Sequence, residues 1–229
     1  MEYFSQCGED KHIYEKYLKD LEIKDPTYLE LGAANGILWS NTLFFEKYLN
    51  WHGILIEPHP SNFRDLTNNR PNNKLFNKLI SNSKVPVKYL YFDQWVLGCV
   101  AGVKETMPEG NMVNYYLNKD PWYDEMRKVL KESEIMPVPL SDIIKESGYD
   151  HIDFFSLDVE GHEYQVLESF DWSIPINIFL IETNPEDPRV RDLLEKKDYI
   201  FIEYVAHNAL WFSRSFKELI DKKKDTKNM

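Results

Sequence analysis

The chain has 229 residues, 27 of them basic and 38 acidic, for a formal charge of −11, which argues against broad affinity for nucleic acid or an anionic membrane, since both need basic surface. A hydrophobic content of 43% with 14% aromatics excludes a disordered chain, and the length is that of one domain burying about 70% of its unfolded surface. Two cysteines, Cys7 and Cys99, are too few for a disulfide framework or a thiolate metal site. The segment from Met1 to Gln6 lacks a signal-peptide pattern, and no apolar run approaches the roughly 20 residues of a membrane span. The expectation is a single soluble, cytoplasmic domain over residues 1–229, with no membrane partner.

Short apolar runs alternate with helix-like segments, the pattern of a mostly parallel sheet covered by helices. Tyr28 to Leu31 is the first strand, followed by the turn Gly32-Ala33-Ala34-Asn35-Gly36. Ser40 to Asn50 has helical periodicity, Gly53 to Glu57 is a second strand stopped by Pro58 and Pro60, and Asn62 to Asn69 is a short helix. Lys74 to Ser81 is a weak third strand, and Val85 to Phe92 alternates as an added one. Residues 94–134 form an insertion of the length expected for a substrate lid, with a helix from Trp122 to Glu132 and four aromatics, Tyr115, Tyr116, Trp122 and Tyr123, able to stack on a ring or to pack among themselves. Regularity returns with a helix from Ser141 to Glu146, a strand from Ile152 to Asp158, a helix from His162 to Ser169, a strand from Asn177 to Glu182 and a helix from Arg189 to Lys196. Tyr199 to Val205 and Ala209 to Phe212 then follow with only a short turn between them. They predict a terminal hairpin that puts one antiparallel strand in the sheet. Phe216 to Lys223 reads as helical, and residues 222–229 as a fraying tail.

The glycine turn after the first strand, with Glu57 ending the next strand 25 positions after Gly32, is the arrangement that cradles a nucleoside and its ribose hydroxyls. The spacing is G-x-x-x-G, not the G-x-G-x-x-G of a nicotinamide dehydrogenase. Glu30 adds a carboxylate beside the turn. A carboxylate suits a sulfonium or ammonium and opposes a pyrophosphate, which favours S-adenosylmethionine over a dinucleotide. The structural alternative is that the glycines merely end a strand and Glu57 is solvated.

Several stretches resemble the FkbM-type methyltransferase family: Ser5-Gln6-Cys7-Gly8-Glu9-Asp10, Tyr28 to Gly36, Ser40-Asn41-Thr42, Trp51 to Pro58, Ile152 to Glu163 with its Asp158-Val159-Glu160-Gly161-His162-Glu163 core, and Ile181-Glu182. The resemblance implies a class I methyltransferase Rossmann-like α/β fold: seven strands, mostly parallel, a C-terminal antiparallel hairpin and helices on both faces. It implies S-adenosylmethionine as donor and a hydroxyl acceptor on a sugar, glycan or glycosylated small molecule. By position, Gln6, Glu30, Gly32, Ala33, Asn35, Gly36, Ser40, Asn41, Glu57 and Asp158 would line the cofactor site.

Ligands of an open α/β sheet bind beyond the carboxyl ends of its strands. Asp158 and Glu182 end two such strands, and Glu160, His162 and Glu163 follow Asp158. Asp158 and His162 are the two candidates for the base that takes the acceptor proton, a role worth about 10²–10⁴-fold; Glu160, Glu163 and Glu182 are candidate substrate contacts. Asp158 and Glu182, with Asn184 nearby, are also candidate ligands for Mg²⁺. Glu160 and Glu163 equally suit a helix N-terminus, and His207 a turn. Two rival functions stay open: RNA cap ribose 2′-O-methylation, which wants a lysine-centred tetrad that the strand ends do not supply, and a non-catalytic module that binds cofactor or sugar.

Overall fold

The computed structural model describes residues 1–92, 100–111, 128–183 and 187–227. Its main sheet has seven strands in the order β3-β2-β1-β7-β8-β10-β9. They are β1 (Thr27–Leu31), β2 (His52–Ile56), β3 (Lys74–Phe76), β7 (Ile152–Leu157), β8 (Ile176–Glu182), β9 (Tyr199–Val205) and β10 (Asn208–Ser213). The first five pair in parallel, and β10 runs antiparallel to both β8 and β9. This is the expected mixed sheet with its terminal hairpin.

The central strands are buried on both faces, which is why they read as continuous apolar runs rather than alternating ones. One face carries Leu29, Leu31, Ile54, Phe179 and Trp211 against α4 (Leu140–Ser147), α5 (Glu163–Glu168) and α6 (Arg189–Lys196). The opposite face carries Tyr28, Leu55, Phe154, Leu180 and Phe212. It packs on α1 (Glu9–Ile13) with the π-helical turn Tyr14–Leu18, on α2 (Leu43–Leu49), on α3 (Pro60–Asn69) and on α7 (Arg214–Lys227).

The departures from expectation have local causes. The stretch from Val87 to Phe92 is a strand, β4, but belongs to a separate three-stranded antiparallel sheet with β5 (Gly102–Val103) and β6 (Leu130–Ile135). Leu130 to Glu132, expected as the end of a helix, is thus strand; residues 121–127 and the four insertion aromatics lie outside the described residues. β6 pairs with β4 along its whole length, and the Glu132 carboxylate lies 2.8 Å from Lys104 and 3.7 Å from Lys88. The third strand stops at Phe76, and Ile80 makes only an isolated bridge to Val138. Residues 222–227 continue α7 instead of fraying. There the Lys223 ammonium reaches the Asp20 carbonyl and Lys224 lies 5.5 Å from the Tyr17 ring. Among the described residues no helix is long and apolar enough to cross a membrane.

Candidate functional site

Chain order reverses beside β1, whose neighbours β2 and β7 lead to opposite halves of the sheet, so a crevice opens at the carboxyl ends there. A cavity of about 470 Å³ fills it, within the usual range for a small-molecule site. Its floor and one side hold Gly32, Ala34, Asn41 and Glu57, and the other side Asp158, Glu160 and Glu182. Gln6 stands at the N-terminal rim.

The turn after β1 is built to bring Glu57 to it. Gly32 and Ala33 both donate to the Ile56 carbonyl, at 3.1 and 3.2 Å. Ala34, held at φ 46°, donates to Glu57 Oε2 at 2.8 Å while His59 N–H donates to Oε1 at 2.7 Å. Each oxygen has one backbone donor and a lone pair to spare. Burial pushes this carboxyl up to about 8 against the opposing pull of the two N–H groups. The glycines serve packing. A Cβ on Gly32 would stand 1.9 Å from the Asp158 carbonyl oxygen, and one on Gly36 would stand 2.5 Å from Leu66 Cδ1. Gly32 thus lets the tip of β7 close against the tip of β1.

Glu30, Ala33, Asn35, Gly36 and Ser40 are not on the cavity wall, unlike the other expected cofactor residues. They form the underside of the turn. Glu30 accepts from Ser40 Oγ at 2.8 Å, Thr42 Oγ1 at 2.7 Å and the Asn41 N–H at 2.7 Å. Burial raises its pKa and Arg70 opposes that rise. Asn35 Oδ1 accepts from Ile37 and Leu38 N–H. The Arg70 guanidinium, 1% exposed, uses all five donors: Nε on Glu46, Nη1 on the Gly36 carbonyl and Ser40 Oγ, Nη2 on the Tyr28 and Thr42 hydroxyls. Glu30 is thus held beneath the turn by donors from residues 40–42, away from the cavity wall.

At the other end of the cavity Asp158 and Glu182 are hydrogen-bonded to each other. The Asp158 side chain is exposed to the open cavity, with Glu182 beside it. Loss of water there, then the Glu182 charge, raise its pKa well above the carboxylate range. Burial and then the charges of Glu160 and Glu163 push Glu182 up to about 7, while the bond from Asp158 opposes that rise. Both carboxyls are thus pushed upward, and the two titrate as a pair.

His162 is 4% exposed, and burial pushes its pKa down to about 4, so the imidazole is neutral. Both ring nitrogens are already engaged, Nδ1 with Thr106 Oγ1 at 2.9 Å and Nε2 with Ser81 Oγ at 3.0 Å. The ring ties the turn after β7 to the segments after β3 and β5. Glu163 faces away from this cavity, and its Oε1 accepts from Val159 and Gly161 N–H, both at 3.1 Å. It caps its own turn. For Mg²⁺, Asn184 lies outside the described residues. Among the described residues no group of three or more His, Cys, Asp or Glu is arranged to hold a metal, so two proton-sharing carboxylates are a poor fit and no step is assigned to the ion.

Several cavity residues carry no mark in the local sequence. Glu9 reaches the wall because α1 folds across the β10 end, where Asn208 Nδ2 donates to Glu9 Oε1 at 3.3 Å. In the sequence it stood only inside the stretch Ser5 to Asp10 that resembles the family, with no role attached. Trp39 stands at the mouth, 44% exposed at φ 58°. Lys78, Tyr89, His207 and residues 100–103 complete the wall. His207 is both a turn residue and a wall residue.

The model of the methyltransferase FkbM domain matches residues 30–201, three quarters of the chain. No curated protein matches the sequence. Among solved structures, M. capricolum TrmK in complex with the natural cofactor product S-adenosyl-homocysteine is similar at 8% identity and a TM-score of 0.38, covering 89% of this chain and 65% of that one. The chain spans just under two thirds of the length of that structure. On the match over residues 30–201, this chain belongs to the FkbM methyltransferase family.

Proposed function

We propose that the chain transfers a methyl group from S-adenosylmethionine to a hydroxyl of a sugar, glycan or glycosylated small molecule. The observation that carries the reading is a single cavity with Glu57 at one end and the Asp158–Glu182 pair at the other. Three features of this chain support the donor. Glu57 has a free lone pair on each oxygen for ribose hydroxyls. Asn41 lines the cavity with its buried Oδ1 unpartnered. The acidic wall of Glu9, Glu160 and Glu182 suits a sulfonium cation.

When bound, S-adenosylmethionine supplies an electrophilic methyl carbon whose bonding electrons stay with sulfur as the acceptor oxygen bonds to carbon. The work left for the protein is to align the acceptor and to take its proton. We assign that proton to Glu182, whose carboxylate lines the cavity and accepts a hydrogen bond from Asp158, which keeps its own proton. His162, with neither nitrogen free, holds the turn that carries Asp158 and Glu160 in register; it is a positioning residue.

The test is incubation of the full chain with methyl-labelled donor and a panel of glycosides and nucleotide sugars. Label should appear on a glycoside oxygen and fall by at least a hundredfold in Glu182→Gln. Label on no glycoside, or turnover unaffected in Glu182→Gln and Asp158→Asn alike, would overturn the reading.

A further inference from the structure

A second cavity, of about 350 Å³, lies on the far side of the turn after β7. Gly161 and Glu163 of that turn face it, while Asp158, Glu160 and His162 face the first cavity. Glu182 lines both, so the carboxylate assigned above as the proton acceptor stands at the junction of the two spaces.

Two residues of the second cavity, Trp211 and Gln165, each carry a buried polar atom that no described residue satisfies, Nε1 and Oε1 respectively. Trp211 is 2% exposed on β10. Buried indole N–H groups ordinarily find a partner. One orphan only donates and the other only accepts; a hydroxyl group does both. Beside them Tyr164 and Tyr204 offer aromatic surface. Charge narrows the ligand further. Arg189 is held by Asp187 at 2.6 Å and lies over the Tyr164 ring at 4.7 Å, and Arg191 Nη2 is bonded to the Tyr204 hydroxyl. Against them stand the carboxylates of Glu105, Glu163, Glu182 and Asp187. Burial pushes Glu163 and Glu182 up to about 7, so this wall ranges from neutral to acidic, which suits a neutral polyhydroxylated ring better than a phosphate or carboxylate.

We propose that this second cavity is the acceptor subsite and takes a neutral sugar ring, seated against Trp211, Gln165 and the two tyrosines with one hydroxyl turned toward Glu182. The proposal rests on the methyl-transfer reading, and names where the acceptor sits and which chemistry selects it.

The full chain, labelled with ¹⁵N, is titrated with methyl hexopyranosides of the gluco, manno and galacto series, and with inorganic phosphate as an anionic control. The six tryptophans give separate indole N–H signals, and Trp211→Phe assigns that of Trp211. At least one hexoside should move the Trp211 signal in a saturable way, and phosphate should not. Gln165→Met should weaken that hexoside at least tenfold while leaving S-adenosylhomocysteine affinity by calorimetry unchanged; this variant carries the test if Trp211→Phe fails to fold. No response of Trp211 to any hexoside, as for a cavity that holds water only, overturns the proposal, as does a response to phosphate or one confined to Trp39 at the first cavity. S-adenosylhomocysteine binding with a silent Trp211 sinks the subsite alone. A Trp211 response without S-adenosylhomocysteine binding supports a sugar site and sinks the methyl-transfer reading.

Discussion

Replacing Arg70 with methionine keeps much of the side chain's volume and removes all five guanidinium donors. Four hydrogen-bond acceptors beneath the glycine turn and the Glu46 carboxylate then lose their partner. Glu30, 3.9 Å from Arg70 Nη1, loses the cation that opposes its burial. Breaking a buried ion pair by deleting one partner costs about 3–5 kcal/mol, a large part of the roughly 5–15 kcal/mol that holds a domain folded. With a urea dependence of about 3 kcal/mol per molar for a chain of this size, the unfolding midpoint should drop by about 1–1.7 M. Adding Glu30→Gln to Arg70→Met should cost less than the two single losses together, by about 1 kcal/mol or more, because the second change removes the stranded charge. A midpoint shift below about 0.3 M, or strict additivity, would refute the role given to this network.

Gly32→Ala puts a Cβ 1.9 Å from the Asp158 carbonyl at a backbone φ of 86°; it should destabilise by about 1–3 kcal/mol in urea unfolding and weaken S-adenosylhomocysteine at least tenfold by calorimetry. Glu182, pushed up to about 7 by burial and then by Glu160 and Glu163, should give the turnover profile an acid limb near pH 7, since the base works only when deprotonated; a pH–rate profile of His162→Ala should be lower overall yet keep that limb. Glu203 resists burial through bonds from Lys16, Tyr17 and His12, which bring its pKa down to about 2. A depressed carboxylate contributes stability that is complete above its unfolded value of about 4.5 and fades as pH falls toward 2. Glu203→Gln should therefore cost about 1 kcal/mol at pH 7 in thermal melts, with the difference closing near pH 2.

Where apolar runs decided structure, the sequence was a sufficient guide. The strands at 152–157 and 176–182 declared themselves because both faces are buried, and the segments Arg189–Lys196 and Tyr199–Val205 match their expected bounds residue for residue. The strand Leu130–Ile135 hid behind good helix formers, since its partner strand β4 and the lysines beside Glu132, at 88 and 104, lie far away in sequence. The same limit governed the site. Glu57, Asp158 and Glu182 were legible as acids at strand ends. Glu30 was not distinguishable from them, because its pairing with Arg70 joins residues 40 positions apart. His162 invited a base assignment on position alone; its two hydroxyl partners, Ser81 and Thr106, sit in segments whose approach no local pattern predicts.

The claim most in need of a direct measurement is that the cavity between Glu57 and Glu182 binds an adenosyl sulfonium. Calorimetric titration of the full chain with S-adenosylhomocysteine should show one site per chain. That affinity should fall at least tenfold in Glu57→Ala and persist in Glu182→Gln. Absence of binding to the unaltered chain, or binding indifferent to Glu57, would contradict the account.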